Sequence, residues 1–206
     1  GNYLLPFSVI LPANLPETVE SLKCGHCRYR IECTIERGRF EKSFNKSKYL
    51  RIFRTLHPQS LILTDSVEIS NTWPNKVQYL VAIDRKGLAV GSTIPVNITV
   101  VPLVKGLSLK AVHGSIAQRY CIKGSLGICL PEFEDTLGAQ KMDIGDPSVY
   151  GDDEWRIKMH FKVPDHLGLI TQSCLLKQGI ITVKHRLRVA IHLHNKEGHT
   201  SELRTN

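Results

Sequence analysis

Strict alternation of apolar and polar residues constrains this chain more than any other feature. Cys27, Tyr29, Ile31, Cys33 and Ile35 alternate with Arg28, Arg30, Glu32, Thr34 and Glu36. Trp155, Ile157, Met159, Phe161 and Val163 alternate with Arg156, Lys158, His160 and Lys162. The pattern recurs at Val77, Tyr79, Val81 and Ile83, at Ile94, Val96, Ile98 and Val100, and at Leu187, Val189, Ile191 and Leu193. A period of two places every second side chain on one face of an extended strand, so each run predicts a strand half in a core and half in water. Pro12, Pro16, Pro58, Pro74, Pro131, Pro147 and Pro164, with Gly38, Gly87, Gly114 and Gly151, punctuate the runs as turn and loop residues. Pro95 and Pro102 bracket a strand and predict an edge position or a bulge there. With no helical pattern between the strands, the expected fold class is all-β, built from antiparallel immunoglobulin-type β-sandwiches.

The 206 residues suit one large domain or two of roughly 100 residues. Ser70-Asn71-Thr72-Trp73-Pro74-Asn75 reads as a polar connector, dividing the chain into residues 1–70 and 71–206. The first part offers about four strands, which is half a sandwich; the second is long enough to complete its own. Residues 134–153, acidic and poor in β-formers, are expected to form a mobile loop within it. No apolar run approaches the roughly 20 residues needed to cross a bilayer as a helix. The start lacks the basic n-region and cleavage site of a signal peptide, and the absence of an initiator Met suggests a piece of something longer.

Motifs for chemistry are weak. Cys24-Gly25-His26-Cys27 matches some redox-active tetrapeptides, but a strand follows it where that chemistry needs a helix N-terminus. A zinc site would need a second ligand pair. Cys33 and His57 are the nearest candidates, Cys33 is expected on a buried strand face, and Cys121, Cys129 and Cys174 are scattered singly. His192 and His194 share the outer parity of one strand, an arrangement that could chelate a metal but that more often faces solvent. Gly114-Ser115 and Gly124-Ser125-Leu126-Gly127 form neither a nucleophile elbow nor a phosphate loop. The expectation is a protein without catalysis, cofactor or metal. Two sequons, Asn45-Lys46-Ser47 and Asn97-Ile98-Thr99, and six Cys permit an alternative: a secreted or cell-surface β-sandwich binding module with disulfides.

The formal charge of +8 suggests nucleic acid until its distribution is read. Ten basic and three acidic residues lie between positions 23 and 54, and eight acidic and one basic between 131 and 154. The chain is therefore no uniform polycation. Arg28, Arg30, Arg37, Arg39, Lys42, Lys46, Lys48, Arg51 and Arg54 occupy two expected strands and their turn. On one sheet face they would suit anionic lipid headgroups or an acidic cargo segment. Phe40, Phe44 and Tyr49 within the block fit no RNA-recognition signature, so nucleic acid is not the expected partner.

The ordered segments resemble a known family, the fungal α-arrestins or arrestin-related trafficking adaptors. Pro6-Phe7-Ser8-Val9-Ile10-Leu11-Pro12 and Leu15-Pro16-Glu17-Thr18-Val19-Glu20 resemble a segment of the amino-terminal arrestin domain, and Tyr29–Gly38 the strand after it. Asn71–Tyr79, Gly91–Val96, Val101–Leu107, Val183–Leu187 and Gly198–Arg204 are similar, in family order, to successive parts of the carboxy-terminal domain. The likeness is greatest to the subgroup acting in carbon-source control of transporter turnover. It implies a non-enzymatic adaptor, cytoplasmic and peripheral at plasma membrane and endosomes, linking membrane transporters to a WW-domain HECT ubiquitin ligase for endocytosis. The family's Pro-Pro-x-Tyr ligase motifs do not occur here; Pro147-Ser148-Val149-Tyr150 lacks the paired prolines. The resemblance also implies that the first strands of the amino-terminal domain are missing. A half-sandwich would leave Phe7, Val9 and Ile31 exposed, so self-association or a companion segment is expected.

Overall fold

The computed structural model describes residues 4–23, 25–124, 131–145, 153–176 and 180–205. Its regular structure is almost entirely antiparallel β, with one 3-10 turn at Leu61–Leu63. The strands are β1 (Val19–Leu22), β2 (Gly25–Cys27), β3 (Tyr29–Ile35), β4 (Phe44–Leu50), β5 (Val67–Trp73), β6 (Val77–Ile83) and β7 (Thr93–Pro102). They continue with β8 (Ser108–Ile122), β9 (Phe133–Asp143), β10 (Trp155–Lys162), β11 (Cys174–Leu176), β12 (Ile181–His194) and β13 (Thr200–Thr205).

A sandwich forms from a four-stranded sheet in the order β10-β7-β6-β5 and a five-stranded sheet in the order β11-β12-β8-β9, with β13 also on β12. The alternating runs explain the first sheet directly. Every odd residue of β10 from Trp155 to Phe161 is buried and every even one is exposed. Val96, Ile98 and Val100 of β7 point the same way and meet Val112, Ile116, Val189, Ile191 and Leu193 of the opposing sheet. Each such aliphatic side chain withdrawn from water contributes roughly 1.5–3 kcal/mol. A second, smaller core of Val19, Tyr120, Leu176 and Val183 packs β1 against one end of the five-stranded sheet. Among the described residues of the first half of the chain β1 pairs only β2, and β3 pairs only β4, so the first sandwich is partial. Phe7, Val9 and Ile31 are exposed, as the incomplete half implied.

Several expectations are corrected. Residues 134–153 are not simply a loop: Phe133–Asp143 is strand β9, paired with β8. Ser70–Trp73 is the end of β5 rather than a connector, and Asn75, at φ 57°, turns the chain into β6. Pro95 and Pro102 lie inside β7, which has neighbours on both sides. Each nevertheless sits where one neighbour has ended: pairing with β6 stops at Val96 and pairing with β10 stops at Val100. A proline there breaks few ladder bonds. Gly114 is mid-strand in β8, not in a turn. Cys33 is exposed because nothing covers its face of β3. Gly151, Pro147 and Tyr150 lie outside the described residues.

The gap between β9 and β10 is bridged by one side chain. Gln140 donates from Nε2 to the Lys162 carbonyl at 2.6 Å and accepts the Lys162 N–H on Oε1 at 3.0 Å. Its amide imitates the peptide group of a neighbouring strand. Gly114 marks a close approach of the two sheets. A Cβ there would lie 2.8 Å from the Phe161 ring and 3.1 Å from the Met159 methyl, and Phe161 is fully buried. Gly114→Ala is therefore expected to lower stability by about 1–3 kcal/mol through overpacking, read as a lower urea midpoint. An unchanged midpoint would show that Phe161 yields without cost.

Candidate functional site

The β3–β4 hairpin carries most of the basic block, and its register decides how the charges are displayed. Tyr29 faces Leu50, Ile31 faces Lys48, Cys33 faces Lys46 and Ile35 faces Phe44. Opposed residues of an antiparallel pair share a face. One face thus presents Tyr29, Ile31, Cys33, Ile35, Phe44 and Leu50 together with Lys46 and Lys48. The other presents Arg30, Glu32, Thr34, Asn45, Ser47 and Tyr49. The single cationic face expected from the sequence does not form, because Lys46 and Lys48 belong to the apolar side and Arg30 to the opposite one.

Acidic residues neutralise part of the block. Arg28 and Arg51 converge on Glu20 at 3.5 and 3.0 Å, Arg54 meets Glu17 at 2.7 Å, and Arg30 pairs with Glu32. Exposed pairs of this kind contribute about 0–1 kcal/mol each, so their effect is to cancel charge rather than to stabilise. Arg37 bonds the Lys42 carbonyl from Nε at 3.0 Å and Nη2 at 2.7 Å, pairs with Glu41 at 3.4 Å, and lies 4.0 Å over the Phe44 ring. Arg39, Lys42, Lys46 and Lys48 form no ion pair among the described residues. Sequence reasoning missed Glu17 and Glu20, whose partners Arg54 and Arg51 lie more than thirty positions along the chain and are brought near only by folding. It also missed the joint between the two halves of the chain. There Lys23 meets Asp135 at 2.7 Å, and the Tyr120 hydroxyl donates to the same carboxylate at 2.8 Å. Lys23 holds the Asp135 carboxyl below its usual range, whereas burial raises the Tyr120 phenol.

The Ser173–His185–Gln118 cluster superficially suggests catalysis. Gln118 Oε1 accepts the Thr171 N–H at 3.1 Å, which fixes the amide, so His185 Nε2–H must be the donor to that oxygen at 3.0 Å. His185 Nδ1 then accepts the Ser173 hydroxyl at 2.8 Å. A serine nucleophile's triad relies on a carboxylate to stabilise the imidazolium, and a neutral amide supports that charge far less well. Burial also pushes His185 down to about 4, too acidic for a base near neutral pH. Elsewhere the His192 ring lies tilted against His113 with centroids 4.4 Å apart, while His194 bonds Thr200, so the two sequence candidates for chelation have separate partners. Among the described residues no group of three potential ligands converges on a metal position.

Two measurements follow. His185 has an ordinary value of 6.5 and a folded value near 4, so its contribution to stability is present above about pH 6.5 and is lost as the pH falls toward 4. Up to about 3 kcal/mol is at stake, and His185→Gln should flatten the fall in urea midpoint between neutral pH and 4 relative to the parent. Equal slopes would remove His185 from the account. Among thiols, Cys33 is exposed, whereas burial raises Cys174 to about 11. Alkylation at neutral pH should therefore label Cys33 far faster than Cys174, as peptide mapping would show; Cys24 and Cys129 lie outside the described residues.

With this geometry established, comparison with known proteins is informative. A family model of the arrestin (or S-antigen) C-terminal domain matches residues 73–206. An arrestin domain-containing protein of Schizosaccharomyces pombe is 39% identical over 210 residues, covering 99% of this chain and 34% of that protein. Arrestin-related trafficking adapter 5 of Saccharomyces cerevisiae is 30% identical, with 93% of this chain and 37% of that protein covered. The probable HECT-type ubiquitin ligase-interacting protein creD of Aspergillus oryzae is 31% identical, with 99% and 35% covered. The chain thus spans about a third of the length of the curated relatives it matches. A two-sheet sandwich, a partial second one joined to it through Tyr120 and Asp135, and a family match over most of the chain lead to one conclusion: the chain belongs to the arrestin family.

Proposed function

We propose that this chain is the core of a non-enzymatic trafficking adaptor that brings a HECT-type ubiquitin ligase to membrane transporters and so directs their endocytosis. The observation that carries the reading is similarity along nearly the whole chain to proteins named as a trafficking adapter and as a HECT-type ubiquitin ligase-interacting protein. The architecture suits it. Paired sheets offer wide, shallow faces and strand edges, surfaces for docking rather than deep pockets. An open cavity of 430 Å³ does lie beside Pro16, His26, Cys27, Arg28 and Leu176. Its walls are mostly apolar, and the Cys27 thiol bonds the Tyr29 hydroxyl at 3.6 Å rather than the neighbouring His26 ring. Within the basic block, Arg39, Lys42, Lys46 and Lys48 are the cations left for an acidic cargo segment or an anionic surface at the cytoplasmic face of plasma membrane or endosomes. Arg28, Arg30, Arg37 and Arg51 are engaged by neighbouring acids.

Affinity capture with the full-length protein tests the reading. Both a HECT ligase and a transporter should be recovered, and deletion of residues 1–206 should lose the transporter. Transporter recovery that survives the deletion would place cargo recognition elsewhere, and recovery of the ligase without any transporter from the parent protein would remove the cargo half of the reading.

A further inference from the structure

The turn between β3 and β4 has a definite construction. The Glu41 N–H donates to the Gly38 carbonyl at 3.1 Å, closing a β-turn whose two corner residues are Arg39 and Phe40. Arg37 clamps the far stem through the Lys42 carbonyl and the Phe44 ring. At the apex Phe40 is 99% exposed, the most exposed large apolar side chain among those described. A single exposed apolar residue is ordinary. This one is held outward by a braced turn, on a two-stranded hairpin with no third strand for it to pack on. Arg39 and Lys42 flank it without ion pairs, because the nearest acid, Glu41, is taken by Arg37.

We propose that the Gly38–Lys42 turn is a membrane-insertion tip. Phe40 enters the headgroup region of an anionic bilayer, and Arg39 and Lys42 bind the lipid phosphates around it. An aromatic ring at headgroup depth combined with basic residues at the surface is the pairing that interfaces favour. Other occupants fit less well. A single-stranded nucleic acid wants a row of open rings to stack on, and the Phe44 face is already covered by Arg37. A second copy would set Arg39 and Lys42 against themselves in a symmetric contact. The proposal rests on the adaptor's working at a membrane and adds which atoms touch it.

The test is vesicle co-sedimentation of the 206-residue chain, using phosphatidylcholine with phosphatidylserine at roughly four to one, against phosphatidylcholine alone. Binding should require the anionic lipid, fall about tenfold or more with Phe40→Ser, and fall similarly with Arg39→Glu/Lys42→Glu. Phe40 contacts no core, so folding should survive; urea midpoints check this. In Phe40→Trp, the added emission should shift blue on vesicles and be quenched by lipids brominated near the headgroup. Equal binding by Phe40→Ser, equal binding to neutral vesicles, or an unquenched tryptophan would overturn the proposal. So would light scattering that shows Phe40-dependent dimers in place of vesicle binding. Ligase capture by the full-length Phe40→Ser protein should be unchanged; its loss would count against the tip, whereas failed capture by the parent protein would count against the adaptor reading.

Discussion

The pairing of β8 with β12 supports everything else in the molecule. All fourteen residues of β12 pair with β8, with one β-bulge that skips Lys110 between His192 and Leu193, and the two strands together serve both cores. Tyr120 and Val183 belong to the small core under β1, while Val112, Ile116, Val189 and Ile191 belong to the large one. Between them, at the register pair His185–Gln118, the inward positions turn polar. Gln118 is buried, its Oε1 accepts from both His185 and the Thr171 N–H, and among the described residues no buried side-chain polar atom lacks a partner. Buried polar groups are tolerated when every lone pair and proton is matched. The ladder therefore carries two separate apolar units on one continuous backbone, divided by a satisfied hydrogen-bonded partition.

That continuity explains how half a sandwich remains attached. Its β1–β2 strands are anchored through Val19 and through Lys23 to Asp135 and Tyr120, and the start of the next connection is tied by Thr18 to Ile52. Among the described residues the β3–β4 hairpin has no such anchor on its apolar face, and it is held at its root.

The strands with clean alternation, β3, β6, β7, β10 and β12 from Leu187 onward, were legible because each has a face that is apolar over that run. β8 and β9 were not, and the reason is local. Inward positions of β8 include Gly114, which makes room for Phe161, and Gln118, which serves the partition. β9 turns Asp135 inward to meet Lys23 and Tyr120, and Gly138 at φ 58° accompanies a register shift. Each feature substitutes a specific contact for an apolar side chain, and the pattern disappears from the sequence. The charge of the site was legible as a sum but not as a surface. Whether Lys46 sits beside Cys33 or one position away decides which face it occupies, and that register is fixed by the hairpin turn rather than by composition.

The Gln140 bridge means that one margin of the sandwich is sealed by a side chain instead of a backbone. A strand edge closed by a neighbouring strand can be reopened only by unfolding that neighbour. Here a single codon separates a closed margin from one bearing a free donor and a free acceptor at Lys162. Such a margin gives evolution an inexpensive way to add or withdraw a docking edge without rebuilding the core.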